Sequence, residues 1–177
     1  MSKKIALEKY IRNIPDFPKP GILFRDITTL LLDKLAFREA VNILCEKFKN
    51  KKIDLVIGVE ARGFILGGAV AYKLGVGFVP ARKKGKLPWK IKSQTYELEY
   101  GNDTLEIHQD ALKPNDKVLI IDDLLATGGT VKAVADLVKQ FRAKIVGIGF
   151  VIELLDLAGK EKLKGYPLYS IIKFRGE

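Results

Sequence analysis

The sequence predicts an α/β protein: a twisted, mainly parallel sheet flanked by helices, with an antiparallel hairpin inserted as a hood. Three observations carry this. Short apolar runs recur at residues 53–59, 76–81, 118–121 and 144–152, the pattern of strands buried on both faces. Stretches with helical spacing lie between several of them, as β-α-β units require. Residues 95–100 alone alternate polar with apolar, which marks a strand with one wetted face.

In chain order, Leu7, Tyr10, Ile11 and Ile14 sit at helical spacing and predict a short amphipathic helix over residues 5–14. Pro15, Pro18 and Pro20 then force an extended or turning path through Gly21. After the stretch 22–27, Thr28 or Thr29 stands where a cap for the next element is needed. Phe37, Val41, Leu44 and Phe48 form one stripe of a helix that ends in the lysine cluster of 47–52, with Cys45 beside it as a small core residue. The run 53–59 leads through Gly58-Val59-Glu60-Ala61-Arg62-Gly63 into a Gly/Ala-rich helix reaching Lys73, and 76–81 is the next strand. In the hairpin Tyr96, Leu98 and Tyr100 share one face and Thr95, Glu97 and Glu99 the other; Gly101-Asn102-Asp103 turns, and Leu105 with Ile107 resumes the alternation. The turn Lys113-Pro114-Asn115-Asp116 precedes the strand 118–121. Residues 130–141 read as a helix with Val131, Val134, Leu137, Val138 and Phe141 on one side. Past the run 144–152, the tail is expected to pack on the sheet, and the C-terminal third offers no assignable chemistry.

At 177 residues, with 47% hydrophobic and 29% charged residues, the chain is expected to form one domain over residues 1–177 with a real core. One cysteine excludes an internal disulfide, and one histidine with one cysteine cannot build the usual structural zinc site. The most membrane-like stretch, 63–81, is interrupted by Lys73 and by four further glycines, and the charged N-terminus is no signal peptide. A cytoplasmic protein that uses no membrane is expected. The net charge of +10 suits polyanionic partners, phosphate-rich small molecules among them, although charge alone decides nothing.

The sharpest feature is a buried strand ending in Asp122-Asp123, followed by Leu124-Leu125-Ala126-Thr127-Gly128-Gly129-Thr130 and a helix. In an open α/β sheet, ligands bind beyond the carboxyl ends of strands. The loop Ala126, Thr127, Gly128, Gly129, Thr130 lacks bulk, so its N–H groups can close on an anion at the positive end of the helix. The hydroxyls of Thr127 and Thr130 add donors. Asp122 and Asp123 would repel phosphate; they suit sugar hydroxyls or help to hold a cation. Other nucleotide motifs fail. Gly58 and Gly63 have P-loop spacing, but Phe64-Ile65 follows where Lys-Ser/Thr is required, and neither Gly75-x-Gly77 nor Gly147-x-Gly149 reaches a third glycine.

Asp122 to Thr130 resembles the phosphoribosyl-pyrophosphate signature of the type I phosphoribosyltransferases. Phe17-Pro18-Lys19-Pro20-Gly21, Phe24-Arg25-Asp26-Ile27, residues 58–64, 82–88 and 98–101 together make the chain similar to the adenine-using family among them. That resemblance implies the type I phosphoribosyltransferase fold. It also implies transfer of ribose 5-phosphate from phosphoribosyl pyrophosphate to adenine, giving AMP and pyrophosphate. The 5′-phosphate would lie in the loop from Ala126 to Thr130, and the 2′- and 3′-hydroxyls on Asp122 and Asp123. Ala61 and Arg62 would meet the pyrophosphate, Arg62 also lying near the base, with Mg²⁺ held mainly by substrate oxygens. Residues 82–92 carry six bases and no acid; Arg82 and Lys86 among them would capture pyrophosphate, across a subunit boundary in the homodimer that the family suggests. Glu99, the catalytic candidate, would handle the purine proton near N7 with Tyr100 close by. Adenine would rest on Leu23, Phe24 and Arg25, stacked on the Phe24 ring.

Such a transfer builds oxocarbenium character on the sugar and negative charge on the leaving group, so a dry, preorganised pocket under a closing hairpin is what the chemistry demands. A purine-sensing regulator that binds nucleic acid is the rival of another class, and the chain has no spare length for a helix-turn-helix module. The nearer rival is the same chemistry on a 6-oxopurine.

Overall fold

The computed structural model describes residues 5–97 and 101–176. A single 3-10 turn, Leu7–Tyr10, is followed by β1 (Arg12–Ile14), which pairs antiparallel with β2 (Phe24–Asp26). The helix predicted over 5–14 is thus one turn long. Cross-strand pairing takes its second half: Ile14 lies opposite Phe24 and Arg12 opposite Asp26, and the Arg12 guanidinium meets the Asp26 carboxylate at 2.8 Å. Burial pushes the Asp26 carboxyl up, but the hydroxyl and N–H of Thr28 and the Arg12 charge outweigh it and hold the group below its ordinary value.

The capping expectation also fails. In α1 (Thr28–Leu32) the Thr28 N–H is accepted by Asp26 Oδ1 at 2.8 Å, while the Thr29 hydroxyl donates to the Tyr10 carbonyl. It is Asp33 that caps the next helix, α2 (Lys34–Phe48), accepting from the N–H groups of Leu35 and Ala36. The α2 stripe buries Val41, Leu44 and Phe48, with Cys45 beside them as expected.

Then come β3 (Leu55–Val59), α3 (Arg62–Leu74), β4 (Gly77–Lys83), β5 (Ile91–Glu97), β6 (Asn102–His108), β7 (Lys117–Leu125), α4 (Gly129–Gln140), β8 (Lys144–Leu154) and β9 (Leu168–Phe174). Seven of the strands form one sheet in the order β5-β6-β4-β3-β7-β8-β9. The five from β4 to β9 are mutually parallel, and β6 joins β4 antiparallel. This is the expected mainly parallel sheet with its antiparallel hairpin. The tail does not pack on the sheet but joins it, with Leu168 to Phe174 paired along β8 as an edge strand.

Helices α2 and α3 cover one face and α4 the other. Along β7, Leu119 and Ile121 enter the first core and Val118 and Ile120 the second, so alternate residues are apolar on both sides. Each such side chain, fully buried, stabilises the fold by about 1.5–3 kcal/mol. The hairpin begins earlier than its alternation suggested, and Asn102 and Asp103 lie in β6 rather than in the turn, opposite Glu97 and Tyr96. Leu105 and Ile107 are buried under it, whereas Thr95 and Glu97 face water. Among the described residues no helix is long and apolar enough to cross a membrane.

Counted alone, the parallel strands run 2-1-3-4-5, so the chain changes direction between β3 and β7. Loops leaving the carboxyl ends of those two strands must diverge, and a crevice opens between them.

Candidate active site

At that crevice β7 delivers Asp122 and Asp123 and runs on into the loop before α4. The loop encloses a concavity of 80 Å³ lined by Asp122, Ala126, Thr127, Gly128, Gly129 and Thr130, so the predicted cradle residues do come together. Gly128 turns the chain at φ +77°, which only glycine adopts freely. The loop is braced from below by Gly159, from the C-terminal third in which the sequence offers no assignable chemistry. A Cβ there would lie 2.1 Å from the Ala126 carbonyl oxygen and 3.0 Å from the Gly128 nitrogen. No local signal in the sequence marks this contact.

A cleft of 410 Å³ adjoins the cradle, bounded by Glu60, Ala61, Arg62, Lys83, Tyr96, Asp103, Leu105, Asp122, Asp123 and Thr130. Both aspartates are buried, at 8% and 7% exposure. Asp122 Oδ1 accepts the Asp123 N–H at 2.8 Å, and Arg62 Nε donates to the Asp123 carboxylate. Burial first, and then the neighbouring Asp123 charge, push the Asp122 carboxyl well above its ordinary value. The approach of α3 to β7 depends on Gly63, where a Cβ would stand 2.9 Å from Asp122 Oδ1 and 3.0 Å from the Ile121 carbonyl oxygen. A side chain at that position would lift Arg62 off the acids.

Arg82 and Lys86 reach the cleft only through Glu60. This buried carboxylate takes the Lys86 ammonium, the Lys83 N–H at 2.9 Å and Arg82 Nε at 3.4 Å. Arg82 also donates to the Lys86 carbonyl at 3.0 Å, which folds the basic loop back on itself. Burial pushes the Glu60 carboxyl up, but Lys86, the Lys83 N–H and Arg82 hold it below its ordinary value. Lys83 in turn meets Asp103 at 3.2 Å, and the Thr130 hydroxyl donates to Tyr96 OH at 3.5 Å, linking the cradle to the hairpin. Glu60, Tyr96, Asp103 and Gly159 are the site residues that sequence reasoning missed, while Lys83 belongs to the basic run 82–92 that the sequence already singles out. For Glu60 a signal existed, an acid directly before Ala61 and Arg62 at a strand end.

Phe24 stands with its ring centroid 5.5 Å from the Arg62 guanidinium and 5.2 Å, edge to face, from Phe17. Leu23 is half-buried beside it. The Arg25 side chain turns away, donating to Asn13 Oδ1 at 2.7 Å and stacking 4.2 Å from the Phe174 centroid. Glu99 and Tyr100 lie outside the described residues. Among the described residues no group of three or more His, Cys, Asp or Glu is arranged to hold a metal ion.

Comparison with known proteins agrees with this geometry. The phosphoribosyl transferase domain family matches residues 28–174. An adenine phosphoribosyltransferase of Desulfitobacterium hafniense (strain Y51) is 55% identical over 97% of this chain and 99% of its own length. A crystal structure of adenine phosphoribosyltransferase from Thermoanaerobacter pseudethanolicus superposes with a TM-score of 0.92 at 51% identity, covering 95% of this chain and 98% of that one. The Saccharomyces cerevisiae enzyme, solved with adenine and an imino-altritol bisphosphate, gives a TM-score of 0.88 at 40% identity over 93% of this chain and 96% of its own. The chain belongs to the phosphoribosyltransferase family, among its adenine phosphoribosyltransferases.

Proposed function

We propose that this chain, acting as one domain over residues 1–177, transfers ribose 5-phosphate from phosphoribosyl pyrophosphate to adenine, yielding AMP and pyrophosphate for purine salvage. One observation carries the reading: a bulk-free amide cradle and two adjacent buried acids share one strand-to-helix bend and line a cleft with Arg62, whose guanidinium stands 5.5 Å from the Phe24 ring centroid. The backbone donors of Ala126 to Thr130 and the hydroxyls of Thr127 and Thr130 bind the 5′-phosphate. Asp122 and Asp123 accept from the ribose diol. Ala61, Arg62, Arg82 and Lys86 take the charge that grows on pyrophosphate as the anomeric C–O bond breaks. Leu23, Phe24 and the Arg25 backbone hold adenine, whose N9 then lies against the opening sugar carbon. Glu99 handles the proton near N7 while Tyr100 and the rest of the hairpin exclude water.

Mg²⁺ fits the donor set in one way. Asp122 and Asp123 are the acids that would face its water shell, and because no group of three or more His, Cys, Asp or Glu is arranged to hold a metal among the described residues, substrate oxygens would supply the other ligands. When bound, the ion supplies neutralisation of the leaving group. A homodimer in the cytoplasm completes the reading, supported by family membership and, for the compartment, by a lone buried Cys45 thiol.

A purine panel tests the function, with phosphoribosyl pyrophosphate and Mg²⁺ supplied throughout. Pyrophosphate release with adenine alone is expected. Release only with a 6-oxopurine overturns the substrate, and binding without turnover favours a regulator.

A further inference from the structure

Arg62 occupies three places at once. Its Nε donates to the Asp123 carboxylate, its guanidinium stands 5.5 Å from the Phe24 ring centroid, and its backbone begins α3 next to Ala61. The Arg62 side chain is 39% exposed and the Asp123 side chain only 10%, so of the two partners the arginine is the one with solvent-side space to leave the pair. Resting on the transferase reading, we infer that Arg62 makes the diol site selective for sugar phosphates that carry pyrophosphate, and so rejects ribose 5-phosphate.

A diol arriving by itself offers Asp123 neutral hydroxyl donors in exchange for a charge-assisted bond, a poor trade. A sugar bearing pyrophosphate brings its own anionic oxygens, which a guanidinium grips in bidentate fashion. Arg62 then moves to the pyrophosphate and releases Asp123 to the diol in the same event. The other cations around the cleft cannot act this way. Lys86 and Arg82 are held by Glu60, and Lys83 by Asp103, and neither of those acids faces the sugar in this reading. Only the partner of Arg62 is also a sugar ligand.

Titration calorimetry with ribose 5-phosphate decides the matter, using the full chain and Arg62→Gln, each alone and in the presence of magnesium pyrophosphate. If Asp123 is free of the guanidinium about a tenth of the time, the apparent affinity is lowered about tenfold. Arg62→Gln is therefore expected to bind ribose 5-phosphate about tenfold more tightly than the wild type, and phosphoribosyl pyrophosphate more weakly. In the wild type, pyrophosphate should tighten ribose 5-phosphate binding, and the sugar should tighten pyrophosphate by the same factor. Absence of that coupling in the wild type overturns the inference. So does equal or weaker ribose 5-phosphate binding by a variant that melts like the wild type. Turnover with adenine is measured in parallel: its failure would remove the assigned reaction, while the coupling still decides the role of Arg62.

Discussion

The two walls of the cleft hold charge in opposite ways. On the cradle side the donors are backbone groups fixed by packing, with Gly159 pressed under Ala126 and Gly128. An anion arriving there finds its partners already in place. On the facing side the cations are side chains, and each is already held by an acid: Arg62 by Asp123, Arg82 and Lys86 by Glu60, Lys83 by Asp103. An anion arriving there must displace a resident partner. The first wall is preorganised and the second exchangeable, which suits one to the phosphate that stays and the other to the pyrophosphate that leaves.

The largest expected effect lies with neither wall. Glu99→Leu should lower kcat by about 10²–10⁴-fold with little change in sugar-phosphate binding, if the walls bind and the hairpin handles the proton; an unchanged kcat would make Glu99 a surface residue. On the preorganised wall, Gly159→Ala forces the cradle to shift, and steady-state kinetics should show kcat/KM for phosphoribosyl pyrophosphate falling about 10²-fold. Full activity there would mean that the bend tolerates displacement.

Asp122→Asn and Asp123→Asn together should weaken sugar-phosphate use while leaving the fold intact. A hydrogen bond to a charged group, here the arginine-paired Asp123, is worth about 1.5–3 kcal/mol, so a rise in KM of at least about tenfold is expected, and undiminished turnover would remove both from the site. Asp122→Asn by itself should also stabilise the free protein. The raised Asp122 value means that the folded chain holds a proton that the unfolded chain has lost above the ordinary value of 3.8. Its contribution therefore drains away as pH climbs from there through the raised value. At neutral pH the substitution should raise Tm by about 2–4 °C for each ~1 kcal/mol removed, and a lower Tm would contradict the burial cost.

Glu60→Gln tests the exchangeable wall with the smallest effect. The lowered Glu60 value has the opposite sign: its stabilisation is fully present above the ordinary value of 4.5 and is lost as pH falls through the lowered value. Because Lys86 and Arg82 are partly exposed, the gain is screened and is under about 1 kcal/mol. Melting curves of wild type and variant should converge as the solution is acidified below that range, and a constant gap would deny Glu60 its partners.

The same contrast explains what was legible in the sequence. The cradle is contiguous, so Asp122 to Thr130 announced itself through composition and its place after an apolar strand. The α2 stripe and the two-sided β7 run follow from periodicity alone. Features made by contacts distant in the chain were not legible. Ile14 became a strand residue because Phe24 pairs with it, and nothing near Gly159 signals that it supports Ala126. β9 escaped notice because an edge strand with residues such as Lys173 in it lacks the apolar continuity of the central strands. The ion pairs of Glu60 and Asp103 join loops on different strands, and charge spacing along the chain does not encode them.

Crystals soaked with AMP together with magnesium pyrophosphate, which draws Arg62 off Asp123, test the central claim most directly. The account predicts the 5′-phosphate seated against the amides of Ala126 to Thr130, with the ribose hydroxyls on Asp122 and Asp123. A nucleotide bound elsewhere, with that bend empty, would contradict it.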